Sequence, residues 1–357
     1  MRIAVANPTA GGLSGGYRKY LRRLMPLLAG DRRVSALRIF VPHGAASVLE
    51  SGLDVRGWNP ADGLRTLAGD VAAFGADVVF VPTARHMSFG QTPVVTMVRN
   101  MEPLLVPFGG NTWVEGLRNV ARAWDAQRAC RRATRVIAVS THVRDFVVGR
   151  WGIPPERVGL VYHGVDPVPV GAAQPRGSNP ILFTAGSIRP ARGLEDIVRT
   201  LPLLDPEVRL VVAGDVNRGA EPYARRLHDM IGTLGLRDRV RFAGLLSDQQ
   251  MTEAFVGCAA FVMTSRAEAC PNTAIEAMSA GTVTVSVDHP PMPEFFGNAA
   301  LYYSAGDPAG LARQLRVALD DDSARARLGR AAAERARCYT WSTTSDRTIR
   351  ELERVLS

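Results

Sequence analysis

Two glutamates eight positions apart, Glu268 and Glu276, flank a Pro-Asn-Thr run inside the stretch SRAEACPNTAIEAMSAG, Ser265 to Gly281. An apolar, strand-like run, Ala259 to Met263, leads into it. From Pro271 onward Ala274, Ile275, Met278 and Ala280 recur at helical spacing. Proline suits a first helical turn, where its missing N–H costs nothing, and Asn272 and Thr273 place hydrogen-bonding side chains beside the free N–H groups. The stretch therefore reads as strand, tight loop and helix start, with both carboxylates able to face one crevice. A helix N-terminus favours an anion, so a phosphate at that end and sugar hydroxyls on the carboxylates are the chemistry these residue types suit. Taken as a lone pair, the same glutamates are equally an exposed helix residue and an ordinary loop charge.

The longer string narrows the choice. EACPNTAIEAMSAGTVTV, followed by MPEFFGNAALYY, resembles the carboxyl-terminal half of retaining glycosyltransferases of the GT-B fold, family four, with their Glu-x7-Glu motif. It departs from the commonest form in Ala269, Cys270 and Pro271, where many members carry Gly-Phe-Gly. The resemblance implies a nucleotide-sugar donor, with Glu276 on the ribose hydroxyls, Glu268 on the transferred sugar and the Asn272/Thr273 helix end near the pyrophosphate. GSIRPARG, Gly186 to Gly193, resembles the family's GS-x-x-P-R-K-G. Arg192 then stands in the Lys place and Ala191 in the Arg place, with Arg189 a candidate second charge. Gly15 and Gly16, in AGGLSGGYRKY, fit the Gly-Gly pair that lets backbone approach the donor. Gly214 and Gly244, the latter within RFAGL, fall where relatives receive the nucleobase. The family's His-Asp pair is missing, since Val98, Arg99 and Asn100 occupy its place. Arg99, Asn100 and Glu102 are left as acceptor-side candidates, and His163 reads as structural. The family works without a cofactor or bound metal, the donor being a substrate.

These groups need a frame that presents loops at strand ends. Apolar runs at Arg2–Asn7, Val34–Phe40, Asp54–Trp58, Asp77–Val81, Pro93–Val98, Arg135–Val139 and Arg157–Val161 alternate with helical stretches or loops. Several are continuously apolar, as strands covered on both faces are. The pattern restarts at Ile181–Ala185, with further strands at Val208–Ala213, Val240–Ala243 and Ala259–Met263 and a helix over Leu194–Leu204. The expected fold class is α/β, GT-B, with two facing Rossmann-like domains and an interdomain cleft. Residues 1–166 form the acceptor side, 167–179 a Pro/Gly/Ala-rich linker and 180–340 the donor side. A helix over 341–357 returns to the first domain, as it does in the family.

Composition bounds the rest. The 357 residues, 46% hydrophobic and 7% aromatic, suffice for two cores. The four cysteines lack Cys-x-x-Cys spacing, which suggests neither a disulfide framework nor a zinc site. Asp320, Asp321 and Asp322 read as a helix end rather than a metal cluster. No run approaches the roughly 18 apolar residues of a membrane span, and the amino-terminal strand lacks a signal peptide's core, so a cytoplasmic place is expected. The charge is +9, and Lys19 is the only lysine. No nucleic-acid module accompanies this excess. Arg18, Lys19, Arg22 and Arg23 on one helix, and the arginines of 118–135 on another, suit solvated faces or an anionic membrane surface.

The expected reaction is retaining transfer of a sugar from a UDP- or GDP-sugar to a hydroxyl of a glycan or lipid-linked glycan, in polysaccharide assembly, by an enzyme peripheral to the inner membrane face. A GT-B epimerase and a catalytically silent nucleotide-sugar-binding relative are the alternatives.

Overall fold

The computed structural model of the chain describes residues 1–9, 15–49, 52–168 and 179–356. The chain divides into two compact units. One contains Met1–Met101, Ala121–Gly164 and Tyr339–Ser357, the other Glu102–Val120 and Val165–Cys338. Residues 169–178 of the expected linker, and Ala10–Ser14 of the glycine-rich stretch, lie outside the described residues.

In the first unit the strands are β1 (Arg2–Ala6), β2 (Ala36–Pro42), β3 (Asp54–Trp58), β4 (Val78–Val81), β5 (Val94–Val98), β6 (Arg135–Ala138) and β7 (Val158–Leu160). They pair in parallel in the order β3-β2-β1-β4-β5-β6-β7. All four residues of β4 are buried, as expected of a parallel strand covered on both faces. The helix Gly15–Ala29 buries Tyr17, Tyr20, Leu21, Leu24, Met25 and Leu28. That spacing puts one apolar stripe on the core and leaves Arg18, Arg22 and Arg23 exposed.

The second unit holds β8 (Ile181–Ala185), β9 (Arg209–Ala213), β10 (Val240–Gly244), β11 (Ala260–Met263), β12 (Thr284–Val287) and β13 (Ala300–Tyr303). Their parallel order is β10-β9-β8-β11-β12-β13, so the sheet grows outward in both directions from the β8/β11 junction. Such a junction opens a crevice at the carboxyl ends of its two strands. Phe183, Phe255 and Phe261 pack edge to face beneath it.

Two boundaries move from their sequence positions. The helix expected over Leu194–Leu204 stops at Thr200, and Leu201–Leu203 continues as a 3-10 turn, because Pro202 has no N–H to extend an α-helix. Glu102–Val120, read with the first domain from its place in the chain, packs within the second unit.

The helix Trp341–Glu353 belongs to the first unit. Thr340 caps it, accepting from the Thr343 N–H at 3.1 Å, and Ile349 and Leu352 are fully buried. Buried Glu351 pairs with Arg135 of β6, at 2.8 Å from Nε and 2.6 Å from Nη2. A Cβ on Gly159 of β7 would lie 2.2 Å from the Glu351 carboxyl carbon, so only glycine admits this carboxylate to the strand ends. Removing one partner of a buried pair strands the other's charge. Glu351→Ala is expected to lower unfolding stability by about 3–5 kcal/mol, read in urea melts by tryptophan fluorescence. A loss under about 1 kcal/mol would assign the helix's hold to its apolar face alone.

Candidate functional site

The loops leaving β8 and β11 carry the charged residues that the sequence singles out. After β8 the chain runs through Gly186 to a 3-10 turn, Pro190–Arg192. After β11 it runs from Thr264 to Cys270 and enters the helix Asn272–Ser279. The two loops are stitched together: the Thr264 hydroxyl donates to the Arg192 carbonyl at 2.6 Å, and the Arg266 N–H to the Ala191 carbonyl at 2.8 Å. Buried Asp196 braces the back of this joint, accepting from Arg266 at 2.9 Å, Tyr303 at 3.1 Å and the Gly306 N–H at 3.0 Å.

Glycines let these strand ends close up. A Cβ on Gly186, at φ +142, would lie 2.1 Å from an Arg192 guanidinium nitrogen, and one on Gly214, at φ +126, would lie 2.1 Å from the Gly186 carbonyl oxygen. The Arg192 head therefore lies flat against backbone. The Gly214 N–H in turn donates to the Gly244 carbonyl at 2.7 Å, which joins the ends of β9 and β10.

Arg192 Nη1 donates to Ser265 Oγ at 3.1 Å and lies 3.1 Å from Glu268 Oε1. Burial pulls the guanidinium below the ordinary arginine value; Glu268 opposes that shift, Arg189 adds to it and Glu102 opposes it. Arg189 pairs with Glu102 at 2.8 Å. Both pairs leave capacity unused. Arg189 Nε, Arg192 Nε and Glu268 Oε1 are buried without a hydrogen-bond partner among the described residues; the Arg192–Glu268 approach is an ion pair misaligned for hydrogen bonding. Buried donors and acceptors are costly when unmade, and here three converge at the β8/β11 junction.

Glu276 is buried, 8% exposed, so it is no solvated helix charge. Asn272 and Thr273 open the helix, half-buried. Pro271 sits just before the first helical residue rather than within the first turn, and no side chain caps the helix. The Cys270 thiol donates to Asn272 Oδ1 at 3.0 Å.

Other sequence candidates fall elsewhere. Gly15 and Gly16 open the helix Gly15–Ala29 and are exposed. In the first unit Arg99 stacks over Tyr17 at 4.5 Å and Tyr20 at 4.9 Å, and Asn100 is exposed. Buried His163 packs on the Tyr20 ring, centroids 4.8 Å apart. Asp321 caps the helix Asp322–Ala336, accepting from the Ala324 N–H at 2.8 Å, and Asp322 pairs with Arg325. Among the described residues no three His, Cys, Asp or Glu side chains gather as metal ligands do. A separate cavity of ≈ 350 Å³ lies behind the Pro190–Arg192 turn, lined by Pro190, Glu195, Tyr223, Arg226 and Arg266 among others. Sequence reading passed over Ser265 and Gly186 as site residues. A serine second in the loop after one central strand, and a glycine directly after the other, are the signals that mark them.

Two parallel α/β units, one with paired arginines and carboxylates at its strand-order junction, define a protein built like the GT-B glycosyltransferases. Residues 172–335 match the model described as Glycosyl transferases group 1, and residues 30–168 that described as Glycosyltransferase Family 4. The chain belongs to this glycosyltransferase family. It is 32% identical over 250 residues to D-inositol 3-phosphate glycosyltransferase of Streptomyces avermitilis, covering 64% of this chain and 53% of that protein. To mannosylfructose-phosphate synthase of Agrobacterium fabrum it is 26% identical, covering 62% and 53%. The chain thus spans about half the length of the curated relatives it matches. The crystal structure of Anabaena Alr3699/HepE in complex with UDP superposes with a TM-score of 0.78 over 99% of this chain and 100% of that one, at 20% identity, a likeness of fold.

Coupling between Arg192 and Glu268 is directly measurable. Arg192→Met and Glu268→Gln are expected to show an interaction energy of about 1–3 kcal/mol in a double-mutant cycle on unfolding stability. Additivity within about 0.5 kcal/mol would show that each side chain is held by other neighbours.

Proposed function

We propose that this chain transfers a glycosyl group from a nucleoside-diphosphate sugar to an acceptor hydroxyl, with retention at the anomeric carbon and without a metal ion. The observation that carries this reading is the set of unsatisfied charged groups at the β8/β11 junction, Arg192 foremost. A diphosphate supplies acceptor oxygens for the Arg192 and Arg189 Nε donors left without a partner among the described residues.

Departure of the diphosphate breaks the bond between the anomeric carbon and a phosphate oxygen, and the electron pair goes to that oxygen. Arg192, fixed in advance by Gly186, Ser265 and Glu268, stabilises the charge as it grows, at no cost in reorganisation. The acceptor oxygen bonds to the anomeric carbon on the face just vacated, and its proton passes to the departing phosphate. Glu268 takes hydroxyls of the transferred sugar and Glu276 those of the ribose. The helix start at Asn272 and Thr273 faces the diphosphate, and Gly15, Gly16 and Gly244 offer backbone to the donor. Arg99 and Asn100 stay acceptor-side candidates. Glu102, paired with Arg189, tunes the cationic side of the donor site instead.

The HepE structure supports UDP-glucose as the first donor to try, with GDP-sugars beside it. For the acceptor, a glycan or lipid-linked glycan at an anionic membrane surface agrees with the basic excess. The relatives' names add phosphorylated polyols and sugars to the panel.

Incubation of the protein with UDP- and GDP-sugars in water is expected to release nucleoside diphosphate slowly, unchanged by a chelator, with the sugar first liberated in the donor's own anomeric form. An epimeric donor would mark an epimerase, and binding without turnover a silent relative. Arg192→Ala is expected to cost about 10²–10³-fold in kcat; normal turnover would remove it from the leaving-group role. Glu276→Ala is expected to weaken nucleoside diphosphate binding roughly 10–100-fold in calorimetry, one hydrogen bond to a charged group being worth about 1.5–3 kcal/mol. Equal losses from Glu268→Ala would merge the roles assigned to the two carboxylates.

A further inference from the structure

The helix Trp113–Arg132 breaks the rule that the helix Gly15–Ala29 obeys. Both carry apolar stripes and basic residues, but the earlier helix buries its stripe and this one exposes much of its own. Trp113 is 78% exposed, Leu117 60%, Val120 45% and Trp124 63%. At offsets of 4, 7 and 11 these four align on one face, over roughly 17 Å of helix at 1.5 Å per residue. Val114 beside them is also exposed, and Phe108 packs edge to face on the Trp113 ring, centroids 5.3 Å apart. The opposite side, with Asn119, Ala126, Ala129 and Cys130, is buried.

Part of the helix's charge follows the stripe: Arg128 and Arg131, 15 and 18 positions after Trp113, fall on its side, while Arg118 and Arg122 are turned away from it. The helix carries Arg118, Arg122, Arg128, Arg131 and Arg132 against Glu115 and Asp125. Arg128 lies over the Trp124 ring at 5.7 Å. Asp125 is turned to Arg85 at 3.1 Å and Glu115 to Arg118 at 3.3 Å, so exposed Arg128 and Arg131 set a positive field beside the apolar face.

We propose that this face is a docking element for an anionic lipid surface, lying in the headgroup plane with Trp113, Leu117, Val120 and Trp124 turned to the acyl boundary. Indoles at both ends of a short apolar stripe, flanked by guanidinium groups, match what such a boundary offers: a thin apolar layer under a sheet of negative charge. The arginine stems can lie along the apolar surface while their heads stay among the headgroups. A protein partner fits less well, because a stable interface uses about 20–30 residues a side and the exposed apolar set here is one helix face. The membrane contact named in the proposed function is thereby given a definite element, and the helix Gly15–Ala29, whose apolar stripe is buried, is given no part in it.

Co-sedimentation of the full chain with vesicles of phosphatidylglycerol and phosphatidylcholine, against phosphatidylcholine alone, tests this without any donor or acceptor. Binding is expected only to the anionic vesicles, with a blue shift of tryptophan emission and release in high salt. Trp113→Ser with Trp124→Ser should reduce the partition coefficient at least tenfold, and Arg128→Glu with Arg131→Glu should do the same and lessen its salt dependence. Arg22→Glu with Arg23→Glu should leave it unchanged. Because the two tryptophans are exposed and are not among the donor-site residues, slow UDP-glucose hydrolysis and the thermal midpoint should persist in the tryptophan variant. Equal binding to both vesicle types, none to either, or a concentration-dependent dimer abolished by the tryptophan changes would overturn the docking proposal. Loss of hydrolysis in the unaltered chain would instead strike the transferase reading.

Discussion

A guanidinium out of water is costly unless something near it carries the opposite charge, and the second unit is arranged to meet that condition at Arg192. Its positive head rests on the bare backbone of Gly186, with Glu268 and Ser265 within 3.1 Å. Each arrangement constrains another. The guanidinium fits only because residue 186 has no side chain, and residue 186 fits under its neighbour only because residue 214 has none. The turn holding Arg192 is fixed in turn by the Thr264 hydroxyl and the Arg266 N–H. Strand order supplies the rest, since loops from β8 and β11 meet only where those two strands are neighbours.

The cationic side is graded rather than uniform. Arg192 faces one carboxylate at 3.1 Å and Arg189 another at 2.8 Å, yet each keeps a buried Nε without a partner among the described residues. Such a site retains donors that a charged, anionic guest satisfies more strongly than a neutral one. Ala191, between the two arginines, is buried, so the neutral side chain at that position belongs to the packing rather than to the charge array.

Much of this was legible because parallel sheets write themselves in short apolar runs. Asp54–Trp58 and Ile181–Ala185 coincide with their strands to the residue, and other runs miss by one or two positions, where fraying and capping decide. The Glu-x7-Glu stretch was legible through residue types that suit a loop and a helix start. Pairings across long separations were not. Glu102 with Arg189, Arg192 with Ser265 and Glu351 with Arg135 depend on which strands become neighbours, and local periodicity carries no term for that. Nor does periodicity say which face of a helix meets water. The helices at Gly15 and Trp113 have similar stripes, and only the fold distinguishes the covered one from the bare one.

The helix Trp341–Glu353 completes a unit whose seven strands were all made before β8. Translation therefore delivers the first sheet with the Arg135 guanidinium and the notch at Gly159 ready, but with Glu351 still unmade until the second sheet has emerged. The two units differ in when they can finish: the nested one has all its pieces while the enclosing one still lacks its last. Closing that long excursion costs little extra chain entropy, which grows only as the logarithm of loop length. The delay nonetheless leaves the nascent first sheet for a period without the helix that covers it.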